Sequence, residues 1–272
     1  MDSLQQGIES LIQQAHAEFI AVAFHDLLTK QKVFLHADEP FHPASAFKVA
    51  VMMEVFRQAA QGRFSLEDEI PVANSFPSLA DGSPFSLETQ DDDDPSLYKK
   101  IGSAVRVREL VRRMIVRSSN LATNLLMQKT GAASINAFLR ELHVEGVQIL
   151  RGVEDMKAFR LGMNNSATAR GLAQIMQAIA ERKVVSPEAS DEMIELLLQQ
   201  EFNDGIPARL SQSVKVAHKT GAIAGIYHDF GIVFPEARKP YILAVMTRGF
   251  ENESEAHECV AEISSAIYRL LL

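Results

Sequence analysis

The chain has 272 residues, 47% hydrophobic and 23% charged, with a formal net charge of −8, the balance of a soluble globular protein with ample core. That charge argues against nucleic acid or an anionic membrane as partner, and no apolar run reaches the length of a membrane span. The single Cys259 excludes an internal disulfide and reads as a small buried apolar residue.

The N-terminal stretch MDSLQQGIESLIQQAHAEF is an amphipathic helix with Leu4, Ile8, Leu11 and Ile12 on one side. It lacks the basic and apolar regions of a secretory signal. The expected compartment is therefore the cytoplasm, or the periplasm or exterior if a leader has been removed. Residues 19–24 and 32–35 read as two strands of a hairpin around the polar segment 27–31. Residues 42–57, HPASAFKVAVMMEVFR, follow. Pro43 suits a helix start, the run after Lys48 is apolar on nearly every side, as in a buried helix, and Gly62 ends it. Positions three apart are neighbours on one helix face, so the Lys48 amine can reach the Ser45 hydroxyl and activate it as a nucleophile. Partial desolvation would lower the lysine's pKa and let it take a proton near neutrality.

Residues 71–104 lose periodicity and hold Pro77, Gly82, Pro84, Pro95 and the run Asp91–Asp94. They read as a long surface loop, with the aspartates solvated, because the ligand spacing of a calcium loop is absent. Residues 105–127 look helical in two pieces interrupted by Ser118, Ser119 and Asn120; further helices are expected near 132–143, 167–182 and 187–200. Between them RGVEDMKAFRLGMNN reads as a loop containing Gly152, Glu154 and Gly162. Residues 214–218, 230–234 and 241–246 are strand-like, and 254–271 form a closing helix.

Strands at both ends with helices between them predict an α+β fold. An antiparallel sheet built from both chain ends would carry flanking helices and pack beside an all-helical lobe. In domain terms this is one domain over 1–272, with a sheet lobe of 1–43 and 206–272 and a helical lobe of 44–205. The cleft between them is the natural place for a site.

Four pieces could line that cleft: Ser45 with Lys48; Ser118-Ser119-Asn120; Glu154; and Lys219-Thr220-Gly221 after an alternating strand. Two of these patterns recur elsewhere. Ser96 to Lys99 repeats the Ser-x-x-Lys spacing in a stretch with no apolar face, and Lys129-Thr130-Gly131 follows a helical run, so its glycine reads as a C-cap. No His/Cys/Asp cluster has metal-ligand spacing, so no metal or cofactor is expected.

Together the pieces resemble the class A β-lactamases and their penicillin-recognising relatives, whose motif set is Ser-x-x-Lys, Ser-Asp-Asn and Lys-Thr-Gly. The motifs occur in the family's order, and Glu154 lies 36 residues past Ser118, similar to the family's loop glutamate. The resemblance implies Ser45 as acylating nucleophile, Lys48 as a helper in taking its proton, with either Lys48 or Glu154 as the acylation base, and Ser118 as relay to the leaving nitrogen. It implies Glu154 as activator of the hydrolytic water, Asn120 as partner of the substrate amide, and Lys219 and Thr220 as carboxylate binders. Gly221 would let the ligand approach the backbone, and the N–H groups of Ser45 and Ala222 would form the oxyanion hole.

Three departures stand out. Ser119 occupies the family's aspartate position. After Glu154 the family's loop pattern is absent, and Asn164 or Asn165 would have to fold back to hold water. Where the family often places an arginine, His228 is the expected substrate contact, with Arg248 as another candidate. The implied activity is weak opening of β-lactam rings. The alternatives are a D,D-peptidase or esterase acylated by lactams but released slowly, and a non-catalytic penicillin-recognising module; the partner in each case is a small β-lactam, peptide or ester.

Overall fold

The computed structural model describes residues 2–271. α1 (Asp2–Gln14) leads into the hairpin β1 (Phe19–Asp26) and β2 (Lys32–Leu35). The 3₁₀ turn Ala44–Phe47 then runs into α2 (Lys48–Ala60). Short pairings follow: β3 (Glu69–Pro71) with β6 (Ala104–Arg106), and β4 (Phe76–Pro77) with β5 (Pro84–Phe85). Next come α3 (Val107–Val116), α4 (Asn120–Thr130), α5 (Ala132–Glu141), α6 (Met156–Arg160), α7 (Ala169–Ala180) and α8 (Pro187–Leu197). The chain ends with β7 (Lys215–Ile223), β8 (Ile226–Phe234), β9 (Tyr241–Arg248) and α9 (Glu253–Leu271).

The two chain ends meet in one antiparallel sheet ordered β2-β1-β9-β8-β7. Alternation gives it two apolar faces. Ile20, Val22, Phe24, Leu243 and Val245 pack with Leu4, Ile8, Val260, Ile263 and Ile267 of α1 and α9. The small Ala21, Ala23 and Ala244 face α7 and the helical body around α2. The α+β architecture is thus the expected one. Among the described residues no helix is long and apolar enough to cross a membrane. Cys259 is buried in α9, which pushes its thiol pKa up to about 12.

Two stretches differ from expectation. The acidic run is not simply solvated: it alternates, with Asp92 and Asp94 buried and Asp91 and Asp93 exposed. Asp94 pairs with Arg113 at 2.6 Å and Arg117 at 3.2 Å. Asp92 Oδ2 accepts the Leu121 N–H at 2.8 Å in the first turn of α4, where the helix end favours negative charge. Ser119 is the N-cap of that helix, its Oγ accepting from Ala122 N. A carboxylate from another segment therefore serves the helix start where the family's own motif carries an aspartate.

The loop 151–165 contains the short helix α6, started by Asp155, whose side chain accepts from Ala158 N. Asp155 also takes bonds from Ser78 Oγ at 2.8 Å and Leu79 N at 2.7 Å, which staples the loop to the body.

Candidate active site

Ser45 sits in the 3₁₀ turn, where residues three apart eclipse, so Ser45 and Lys48 share an edge although the α-helix proper begins only at Lys48. Ser45 is half-buried while its neighbours in the turn are sealed. The turn is pressed from behind by β7. A Cβ added to Gly221 would stand 2.8 Å from Pro43 O, 2.9 Å from Ala46 N and 3.0 Å from Ser45 N. Gly221 is thus needed for the approach of the Ser45 turn, where the sequence suggested the approach of a ligand.

Ser45, Ser118, Asn120, Glu154, Thr220 and Ala222 line one cavity of about 570 Å³, the size of a small-molecule site. Lys48 and Lys219 lie behind its wall, each 0% exposed. Lys48 Nζ donates to Ser118 O at 2.6 Å, Asn120 Oδ1 at 2.8 Å and Ser118 Oγ at 3.3 Å. Lys219 Nζ donates to Ser118 Oγ at 3.1 Å and Thr220 O at 2.8 Å. Burial pushes the Lys48 pKa down to about 8, against the opposing pull of Asp92, Asp93 and Glu154. Burial, then the nearby Lys48, holds Lys219 well below the usual lysine range.

Glu154 Oε1 accepts from Asn120 Nδ2 at 2.8 Å, and its Oε2 accepts from Glu88 N at 3.3 Å. Burial raises its pKa, opposed by those two bonds. Neither asparagine of the loop's far end stands beside it in these bonds. Asn165 holds Leu150 N, Arg151 N and Arg151 O, and Asn164 Oδ1 accepts from Arg151 at 2.9 Å.

Three residues around the cavity have left-handed backbones without being glycine: Ala44 at φ 46°, Ser118 at φ 57° and Glu154 at φ 61°. Each such residue costs about 1–3 kcal/mol, and such strain concentrates at functional sites.

His228 is a correction. It is 0% exposed and does not line the cavity. Its Nδ1 accepts the Thr247 N–H at 3.2 Å, leaving Nε2 to donate to His42 O at 2.9 Å. Burial lowers its pKa to about 4, so the ring is a neutral brace behind the Ser45 turn. Arg248 is likewise elsewhere, paired with Glu18 at 3.1 Å. His218, on the strand face opposite Lys219, bonds Asp229 at 2.8 Å. The motif copies also lie outside the cavity lining, with Lys129 over the Phe64 ring and Gly131 capping α4.

Sequence reading missed Asp91, Asp93, Tyr227 and His257 as cavity residues. Nothing in the run of four identical aspartates marked the first two; only the fold sets Asp91 and Asp93 apart from the buried Asp92 and Asp94. Tyr227 is placed by its register opposite Ala222, which required knowing that β7 and β8 pair through their tight turn. Among the described residues no group of three or more His, Cys, Asp or Glu is placed to hold a metal.

A family model described as the β-lactamase enzyme family matches residues 3–271. The chain belongs to this family. It is a β-lactamase-like serine hydrolase. Among curated relatives it is 23% identical to β-lactamase 3 of Bacillus cereus, over 85% of this chain and 69% of that protein. It is 23% identical to the extended-spectrum β-lactamase PER-1 of Pseudomonas aeruginosa, over 99% of this chain and 87% of the other. Among solved structures, a leucine-to-glutamate mutant of PBP-A, described as an acyl-enzyme complex with penicillin G, superposes with a TM-score of 0.84. It is 26% identical, covering 100% of this chain and 97% of that one.

Proposed function

We propose that the chain opens β-lactam rings through an acyl-enzyme on Ser45, in the manner of class A β-lactamases. The observation that carries this reading is the convergence of Lys48 and Lys219 on the Ser118 hydroxyl, at the wall of the cavity that Ser45 lines. A serine hydroxyl has two lone pairs and one proton. The two lysine donors occupy the lone pairs, which leaves the Ser118 proton for the leaving nitrogen.

Ser45 Oγ attacks the lactam carbonyl as Lys48 takes its proton. With a pKa of about 8, roughly a tenth of the lysines are neutral and ready at pH 7. The oxyanion is met by the N–H groups of Ser45 and Ala222. The C–N bond breaks, and Ser118 passes its proton to nitrogen and is reprotonated from the lysines. Thr220 and Lys219 hold the substrate carboxylate, and Asn120 its side-chain amide. In the second half Glu154 takes a proton from water as the water oxygen attacks the ester carbonyl; the C–Oγ bond then breaks, and the proton held by Glu154 returns to Ser45 Oγ.

A second reading, acylation with slow release, is favoured by the setting of Glu154. Its carboxylate is already bonded to Asn120, and Asn164 and Asn165 are committed to the 150–151 backbone and Arg151. Steady hydrolysis of a chromogenic cephalosporin, with intact mass showing a transient adduct on Ser45, is the result expected of the first reading. A long-lived Ser45 adduct without turnover would give the second. No adduct at Ser45 would overturn both.

A further inference from the structure

β7 is an edge strand, and the cavity extends past it beyond Thr220 and Ala222. This end is built from Tyr227 of β8, Glu253 and His257 of α9, and Asp204 from the segment before β7. Tyr227 pairs directly with Ala222 across the strands, so its ring stands on the same side of the sheet. The residue is only 4% exposed, yet it lines the cavity, and its hydroxyl has no hydrogen-bond partner among the described residues. Unlike His257 Nε2, the hydroxyl oxygen is not sealed, so it opens onto the cavity with its lone pairs free. It is packed over Gly205, where an added Cβ would lie 2.6 Å from Tyr227 Oη. The His257 ring is 4.0 Å from the Tyr227 ring, and its Nε2 is sealed without a partner, 3.6 Å from Glu253 Oε1.

The charge here is one-sided. Asp204 and Glu253 are exposed, and neither forms an ion pair with a lysine or arginine among the described residues. A substrate carboxylate belongs at Lys219 and Thr220; one placed here would face two like charges. A substituent bearing an N–H⁺ would instead meet two carboxylates and the free lone pairs of Tyr227. Burial and the surrounding carboxylates of Asp229, Asp204 and Glu253 raise the phenol's pKa, so it stays a neutral hydroxyl.

We infer that Asp204, Glu253 and Tyr227 form a cation-accepting subsite for the leaving-group side of the substrate, selecting lactams with an ammonium substituent there. This rests on Ser45 being the nucleophile. The test compares two cephalosporins that differ only at the 3-position, aminomethyl against hydroxymethyl, with the Ser45 acylation rate followed by intact mass.

The ammonium compound should acylate about tenfold faster, the order expected of two exposed ion pairs, and the ratio should shrink as salt is raised. Combining Asp204→Asn with Glu253→Gln should bring the ratio close to one, and Tyr227→Phe should lower it by about threefold. Equal rates for the two compounds in the unaltered protein, with Ser45 acylated, would overturn the subsite and leave the nucleophile standing. No adduct from either compound would overturn both.

Discussion

Ser45 and Glu154 face the same cavity but are anchored differently. The Ser45 side is part of the core: its turn is clamped between α2 and the Gly221 stretch of β7, and Lys48 and Lys219 are fully buried beneath it. Glu154 rides on a loop held by side chains, namely the Asp155 staple to Ser78 and Leu79 and the Asn124 amide on both backbone groups of Val153. That loop exposes Met156, Phe159 and Leu161, the first two at the cavity itself. On the proposed mechanism, the groups that would form the acyl-enzyme are thus as durable as the fold, whereas the group that would release it can loosen locally.

The sharpest test of the core side is Lys48→Arg, which keeps the charge but cannot give up its proton. Acylation of Ser45 should fall by about a thousandfold in rapid-quench mass spectrometry; a loss under tenfold would place the base elsewhere. On the loop side, Glu154→Gln should slow deacylation about a hundredfold, leaving a persistent adduct and a smaller change in acylation. Unchanged release would remove Glu154 from its role.

The two sides should also separate by pH. Acylation should climb about tenfold per unit toward an inflection near 8, set by Lys48, while deacylation should fail on acidification at a pH above the ordinary carboxylate range, because burial raises the Glu154 pKa. The folded Lys48 value lies below the ordinary lysine value of 10.5, so this lysine destabilises the fold below about pH 8. That penalty is relieved as pH rises toward 10.5.

The smallest effects concern stability. Gly221→Ala should lower it by about 1–3 kcal/mol through overpacking and slow acylation. Asp155→Ala should cost a similar or smaller amount, about 1–2 kcal/mol, and slow deacylation with acylation kept within about threefold. Thermal melts and the two rate constants check both, and equal damage to the two rates by Asp155→Ala would erase the contrast.

Much of the Ser45 side was legible because periodic elements carry it. The apolar run of α2 and the alternation through β7 are local signals, and they told the Lys219 copy of Lys-Thr-Gly from the one at Lys129. The rest depended on contacts between distant segments. Asp92 looked like one solvated aspartate of four, and only the fold brings it to the α4 terminus, 29 residues on from Asp92 to Leu121. His228 was aligned near the right place, but neither its number nor its type shows that both ring nitrogens are spent on backbone. Helix α6 was invisible because one capping carboxylate, not periodicity, starts it.

The left-handed backbones at Ala44, Ser118 and Glu154 carry a consequence for the history of such a chain. Each position works against the native state, and glycine would relieve the conformational strain at any of them. Under selection for heat resistance alone, these are among the first places where substitutions would accumulate, and the hardier descendants would keep the sheet and helices while losing their chemistry.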